Sequence, residues 1–355
     1  MTNNLDLSYE YKLKSLPRGG DSLTPVAFSC NKPHRVVTVD LNSNCFLCTC
    51  DGHLPIPVGQ VQDFDTLESV WDSPIAKMLQ EDIDAKKFTW CAVEHCGVRN
   101  QNIFQPAYQL AINIDESCNL HCPSCRRDPI MHTAGIIVEK KLQDVNRIML
   151  WLEKFDKPIH IVLTGNGDPL ASTIIRPLIK NYLPKLNQTF RLFTNGLLIK
   201  KQLPDSPLLP NITEFSISVD AGSAEVYEKV RLGGSWKVLL ENFEYIKTLP
   251  KKKINLNFAV QNNNWHDLPN FVNLCLSYGF SANIHQLDDW GTWNKELVET
   301  PDVWTIANGT FLDHDVLSQT HVNHNKCKDL IKELIKQCVG KPMYFSPRLL
   351  QLLEL

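Results

Sequence analysis

Beyond about residue 106 the chain alternates two kinds of apolar pattern. Short runs rich in β-branched and aromatic residues predict strands: YQLAINI (108–114), PIHIVLT (158–164), TFRLFT (189–194), ITEFSISV (212–219), INLNFAV (254–260) and ANIHQL (282–287). Between most of them lie longer stretches whose apolar positions recur every three or four residues, the signature of amphipathic helices. EKKLQDVNRIMLWLEKF (139–155) and SWKVLLENFEYIKTL (235–249) are the clearest. HDLPNFVNLCLSYG (266–279) has Asp267 as a cap, Pro269 in its first turn and Gly279 as its stop. Each crossover is long enough to hold a helix, so the six strands are expected to run parallel. The class is α/β, with a sheet either open or closed into a barrel.

Upstream the periodic segments are shorter. VVTVDL (36–41) reads as a strand, and TLESVWDSPIAKMLQED (66–82) as one amphipathic helix capped by Asp65, with Trp71 on its buried face. Downstream, 297–355 is irregular before turning helical at KDLIKELIKQCV (328–339). The expected organisation is an N-terminal extension (1–29), a small cysteine-rich α+β module (30–105), the α/β core (106–296) and a C-terminal appendage (297–355).

Composition narrows the function classes. Apolar residues make up 43% and charged residues 21%, ordinary globular usage. The net charge of −3, from 36 basic and 39 acidic side chains, gives no pull towards nucleic acid or anionic lipid. No apolar run approaches the ~18 residues of a membrane span. The start, MTNNLDLSYEYK, has neither the basic region nor the apolar run of a signal peptide, so a cytoplasmic location is expected. Against that background 12 cysteines are unusual, and in such a chain they point to metal or redox chemistry, not to disulfides.

Six of the cysteines form an N-terminal block: Cys30, Cys45, Cys48, Cys50, Cys91 and Cys96. Cys275, Cys327 and Cys338 are isolated and read as small buried hydrophobes. The strongest signal is AINIDESCNLHCPSCRRD (111–128), which places Cys118, Cys122 and Cys125 as C-x3-C-x2-C directly after the first core strand. Sites in such folds form at the carboxyl ends of strands. Three thiolates on one loop can hold three corners of a cubane iron–sulfur cluster and leave the fourth iron for another ligand. A zinc site using Cys118, His121, Cys122 and Cys125 is the chemical alternative, in cramped spacing, and plain packing is the bland one.

The CNLHCPSC segment resembles the signature loop of the radical S-adenosylmethionine enzymes, and three further segments resemble that family in order. The resemblance implies a partial (β/α)6 TIM-like barrel with a [4Fe-4S] cluster on Cys118, Cys122 and Cys125. The amino and carboxylate groups of S-adenosylmethionine would chelate the open iron. TGNGDPL (164–170) resembles the motif receiving the methionine amino group, at Asn166, Gly167 and Asp168, although the family usually has Gly and Glu where this chain has Asn166 and Asp168. FTNGLL (193–198) resembles the close of the third strand. SISVDA (216–221) resembles the ribose-contacting stretch, implying Ser218 and Asp220, and YEKVRLGG (227–234) the stretch whose arginine, here Arg231, meets the cofactor carboxylate. For these last three residues, a strand-end cap or a surface ion pair is the alternative. The implied chemistry is reductive cleavage of the sulfonium to a 5′-deoxyadenosyl radical that abstracts a substrate hydrogen.

The N-terminal block resembles the auxiliary-cluster modules called SPASM or twitch domains, though those generally follow the barrel and this one precedes it. The resemblance implies a second [4Fe-4S] cluster on Cys30, Cys48, Cys91 and Cys96, with Cys45 and Cys50 as alternative ligands and structural zinc as the alternative metal. Such modules suggest a peptide or protein side chain as substrate. A small molecule (sugar, alcohol or nucleotide) is the second reading, and a non-catalytic iron–sulfur protein the third. The implied partners are a flavodoxin- or ferredoxin-like electron donor and, since only 29 residues precede Cys30, a separate peptide-recognition protein. His321, His324 and Cys327 read as a solvated helix start, and Arg126–Arg127 and Lys251–Lys253 as solvated basic faces.

Overall fold

The six apolar runs form strands, and the fold is mixed α/β on a large parallel sheet that is open rather than closed. The computed structural model describes residues 29–48, 54–91, 102–126, 128–164, 166–289 and 310–355. Two units are distinguished: Met1–Ile114 with Ala134–Leu163 and Pro184–Thr189, and Asp115–Thr133 with Thr164–Leu183 and Phe190–Leu355.

In the first unit β1 (Val36–Val39), β2 (Asn44–Phe46) and β3 (Gly59–Gln60) form an antiparallel meander. β1 also runs parallel to β4 (Tyr108–Ile112), which pairs in parallel with β5 (Ile159–Leu163). All four residues of β1 are buried, as a strand with neighbours on both sides requires. The helix Ile136–Lys154 turns Val145, Ile148, Trp151 and Leu152 inward, and the Trp151 indole donates to the Phe64 carbonyl (3.0 Å). Trp71 is buried as expected, its ring centroid 5.2 Å from that of Tyr108 and 6.1 Å from that of Phe155.

The expected helix over 66–82 is two helices, Leu67–Trp71 and Pro74–Asp84. Pro74 has no N–H to continue the first, and Ser73 caps the second by accepting from the Ala76 N–H. The first is capped by Thr66, not Asp65: Thr66 and Ser69 exchange hydrogen bonds as a capping box. Asp65 instead meets Arg147 at 2.7 Å with its own side chain 89% exposed. Thr66→Ala is therefore expected to cost about 1 kcal/mol. Asp65→Ala should cost less than about 0.5 kcal/mol, as for a solvated ion pair. Urea unfolding of the two variants distinguishes them.

The second unit contains the rest of the expected strands: β6 (Gln188–Thr194) from Phe190 onwards, β7 (Ile212–Ser218), β8 (Lys253–Val260) and β9 (Ser281–Gln286). An unanticipated β10 (Met343–Phe345) runs parallel to β9. Side chains alternate across the strands. One face carries Phe190, Leu192, Phe215, Ile217, Leu256, Phe258 and Ile284, all buried. The other is polar. Glu214 pairs with Arg191 (3.2 Å), while Asn257 donates to Ser216 (2.9 Å) and accepts from Asn255 and Asn283 (both 3.3 Å). A sheet with one apolar and one hydrogen-bonding face leaves the second for polar chemistry at the strand ends.

Gly279 ends Leu268–Tyr278 with φ +71°, as expected. Asp267 stands at that helix's start, but its carboxylate accepts from the Gly222 N–H (2.6 Å) and the Ser223 hydroxyl (3.0 Å) instead of capping it. The helix predicted over 328–339 begins earlier, at His324, and runs to Gln337.

Candidate functional site

The loop bearing Cys118, Cys122 and Cys125 lies within the second unit and is tied down at several points. Asp115 accepts from the Ser172 hydroxyl (2.5 Å), and the Cys118 N–H donates to the Ile130 carbonyl (2.8 Å). The His121 N–H reaches the Leu232 carbonyl (3.1 Å). The Cys122 carbonyl accepts from the N–H groups of both Cys125 and Arg126 (2.9 and 3.0 Å), closing a tight turn between the last two thiols.

Each of the first two thiols has its own polar neighbour. Leu120 N–H and Asn195 Nδ2 approach Cys118 Sγ at 3.4 and 3.9 Å, and Arg231 Nη1 approaches Cys122 Sγ at 3.7 Å. Burial pushes the Cys118 thiol up to about 12, with Asp168 adding to the shift, and burial raises Cys122 despite Arg231 beside it. Cys122 adds to the upward shift of Cys118 and Cys125 to that of Cys122, so the three stand in sequence along one short stretch of loop. Yet among the described residues no three His, Cys, Asp or Glu side chains converge on one metal-ion position. A cubane asks for something else, one thiolate on each of three irons. Three thiols on one short loop, with two guanidinium groups beside them, fit an anionic cluster.

The 166–168 turn packs directly on this loop. A Cβ on Gly167 would lie 2.2 Å from the Ser117 carbonyl oxygen and 2.4 Å from that of Glu116, so only glycine permits the approach. The Asp168 N–H donates to the Ser117 carbonyl (2.8 Å). Its carboxylate is buried and accepts from Leu170 N–H (2.8 Å), Asn195 N–H (2.7 Å) and the Thr194 hydroxyl (2.8 Å). Burial raises its pKa against the opposing pull of these hydrogen bonds. With three donors already on it, this carboxylate shapes the turn and fastens it to the end of β6. The Asn166 carbonyl accepts a short hydrogen bond from Arg126.

At the end of β7, Ser218 is half-buried and Asp220 adopts φ +56°. Asp220 pairs with Arg231 at 2.6 Å and accepts from Ala259 N–H (2.8 Å), which makes Arg231 part of a buried ion pair and not a surface one. Burial opposes the Arg231 charge, but Asp220 and Cys122 outweigh it and hold the group cationic. Arg231 Nε, Tyr227 Oη and His121 Nδ1 are buried without hydrogen-bond partners among the described residues. Buried polar atoms normally find partners, so these three suit a polar ligand. The donor set thus fits S-adenosylmethionine as well as a cluster.

Cys30, Cys45, Cys48 and Cys91 belong to the first unit. Cys30 forms an isolated parallel bridge with Ile103, Cys48 is buried with its carbonyl accepting from Thr38 Oγ1 (2.6 Å), and Cys91 is half-buried. Cys45 is fully buried, and burial followed by the charges of Asp40, Asp63 and Asp144 drives its thiol strongly upward. Cys50 and Cys96 lie outside the described residues, as does Arg127. Cys275, Cys327 and Cys338 are buried as expected.

Two expectations need correcting. Arg126 is not on a solvated face but 3% exposed. His324 is buried too, because it lies on the same helix face as the buried Cys327, Ile331 and Leu334. Lys252 is half-buried and donates to the carbonyls of Leu209, Pro210 and Ile212, whereas Lys251 and Lys253 are exposed. Sequence reasoning also missed Asn195 and Tyr227. Both sit in segments it had singled out, FTNGLL and YEKVRLGG, where a polar side chain at a strand or helix end was the available signal.

The chain is similar to known proteins in the following respects. Residues 112–275 match the Radical SAM superfamily. The chain is 24% identical over 194 residues to mycofactocin maturase MftC of Mycobacterium ulcerans, covering 55% of this chain and 49% of that protein. It is 24% identical over 199 residues to MftC of Mycolicibacterium smegmatis, covering 55% and 46%. The chain thus spans about half the length of the curated relatives it matches. Among solved structures, Streptococcus suis SuiB bound to precursor peptide SuiA is similar at TM-score 0.43 and 12% identity, covering 78% of this chain and 64% of that one. Native anSMEcpe with bound AdoMet is similar at TM-score 0.43 and 17% identity, covering 67% and 63%.

Proposed function

We propose, from the match of residues 112–275 to the Radical SAM superfamily, that the protein is an enzyme that cleaves S-adenosylmethionine reductively and abstracts a hydrogen from a peptide or protein side chain. The observation carrying this reading is the packing of the three-thiol loop against the 166–168 turn, with Arg231 beside Cys122. Cys118, Cys122 and Cys125 would hold a [4Fe-4S] cluster. When bound, that group supplies a low-potential electron to S-adenosylmethionine.

The chain's own residues bind and orient. Gly167 lets the turn backbone approach the loop, and Asp168 holds that turn in shape so that its backbone and Asn166 can meet the methionine amino group. Ser218 at the end of β7 would meet the ribose, and Asp220 aims Arg231, whose free Nε suits the cofactor carboxylate. Ile112, Ile114 and Leu120, all buried, keep water from their parts of the loop and strand.

A peptide or protein substrate is supported by the maturases among the relatives and by the resemblance of 30–105 to auxiliary-cluster modules. A second [4Fe-4S] cluster on Cys30, Cys48, Cys91 and Cys96 belongs to the same proposal, as does a flavodoxin- or ferredoxin-like donor. Anaerobic incubation of the iron-replete protein with S-adenosylmethionine and dithionite should release 5′-deoxyadenosine, and Cys122→Ala should release none. Iron-replete wild type that releases none overturns the reading. Iron analysis should give about eight irons per chain for two cubanes. A value of about four would remove the auxiliary cluster and leave the barrel site standing.

A further inference from the structure

The two guanidinium groups beside the thiol loop differ in how their charge is balanced. Arg231 has a carboxylate partner, Asp220, at 2.6 Å. Arg126 has none. Its Nη1 donates to the Glu116 carbonyl (2.7 Å), its Nη2 to the Asn166 carbonyl, and its backbone N–H to the Cys122 carbonyl (3.0 Å). The nearby Glu116 carboxylate is turned to His132 Nε2 at 3.0 Å, and among the described residues no carboxylate forms an ion pair with Arg126. Carbonyl oxygens satisfy the N–H groups, but they do not cancel a unit charge.

A cation this buried and this unbalanced is costly unless an anion stands beside it. The groups around it that can become anionic are the cysteines: Cys125 and Cys118 lie close enough to favour its charge, with a further contribution from Glu116. Ligation to iron removes the thiol protons and supplies the missing negative charge.

We propose that Arg126 is the fixed counter-charge of the cluster loop, a positioning residue that raises the cluster's affinity for an electron while clamping the loop to the 166–168 turn. The inference rests on the reading that Cys118, Cys122 and Cys125 hold an iron–sulfur cluster. One-electron reduction adds a negative charge to that cluster, and a neighbouring guanidinium in a low-dielectric setting stabilises the reduced form more than the oxidised one. Arg126 therefore makes the first electron transfer from the donor easier, which Asp220 prevents Arg231 from doing to the same degree.

The test is a dithionite redox titration followed by electron paramagnetic resonance on wild type, Arg126→Met and Arg126→Lys, each with iron and sulfide counted. Arg126→Met should shift the barrel cluster's reduction equilibrium at least tenfold towards the oxidised form, a midpoint about 59 mV lower for one electron. Arg126→Lys keeps the charge and should stay close to wild type in midpoint. A methionine variant with full iron and the wild-type midpoint overturns the proposal. If the methionine variant loses its iron while the lysine variant keeps it, the charge requirement stands; if both lose it alike, the charge is not what matters and the proposal falls. Wild type that never binds iron overturns the functional reading itself, a separate failure.

Discussion

Gly167→Ala is expected to strip the protein of its loop cluster and to lower 5′-deoxyadenosine release at least about 100-fold. The added methyl would sit 2.2 Å from the Ser117 carbonyl oxygen, 2.4 Å from the Glu116 oxygen and 2.5 Å from the Glu116 carbonyl carbon, where ordinary contact begins at 3.4 Å. All three atoms are backbone, so no side chain can swing aside. The segment 116–117 would have to retreat by about 1 Å, and Cys118 follows it directly in the chain. A displacement of that size in groups that position reactants costs about two orders of magnitude in rate. Gly279→Ala is the matched control. Its φ of +71° makes alanine unfavourable by about 1 kcal/mol, but nothing lies within 4 Å and the site should keep its iron. Iron content and nucleoside release, measured on both variants, decide the matter, and a Gly167→Ala protein with full iron and rate refutes the argument.

The second large effect is expected in stability. Asp220→Asn removes the carboxylate that balances Arg231, with side chains only 10% and 15% exposed. Leaving a buried guanidinium without its partner costs about 3–5 kcal/mol. Asparagine tolerates the φ of +56° that Asp220 adopts, so backbone strain does not confuse the result, whereas Asp220→Ala adds about 1 kcal/mol for it. Combining Asp220→Asn with Arg231→Met should recover a good part of the loss, because the orphaned cation is then gone. A denaturant-unfolding cycle should give a coupling of at least about 2 kcal/mol. Additive behaviour would mean that the pair is no more than a solvated contact.

What could be read from the sequence, and what could not, follows from the range of the interactions involved. Strand and helix positions were legible because they repeat with period: all six core strands stand within a residue or two of their predicted bounds. Thr66 was missed as a cap because Asp65, one residue earlier, is an equally good cap by type, and only the distant Arg147 decides between them. β10 was missed because MYF is short, and its place beside β9 depends on a pairing some 60 residues away. The cysteine spacing pointed to the loop, but the environment of that loop was not local. Arg126 follows a ligand candidate in a basic doublet, which on sequence grounds belongs in water. It is buried because the loop folds back and brings the carbonyls of Glu116 and Asn166, ten residues before it and forty after, around its fork. Likewise the partners of Asp168, Thr194 and Asn195, lie 26 and 27 residues further along the chain, beyond the reach of any local pattern.

That last arrangement bears on how such a sequence can drift. Thr194, Asn195 and Leu170 all end on the one carboxylate of Asp168, whose own N–H is committed to Ser117. Lengthening the side chain to glutamate would push its oxygens about one bond past donors set by the end of β6 and by the turn at Leu170. Such a change gains nothing alone and becomes tolerable only when the residue at 194 or the path of 116–117 changes with it. Descendants of this chain should therefore vary at 117, 168 and 194 in concert, an epistatic knot in which the order of substitutions matters more than their number.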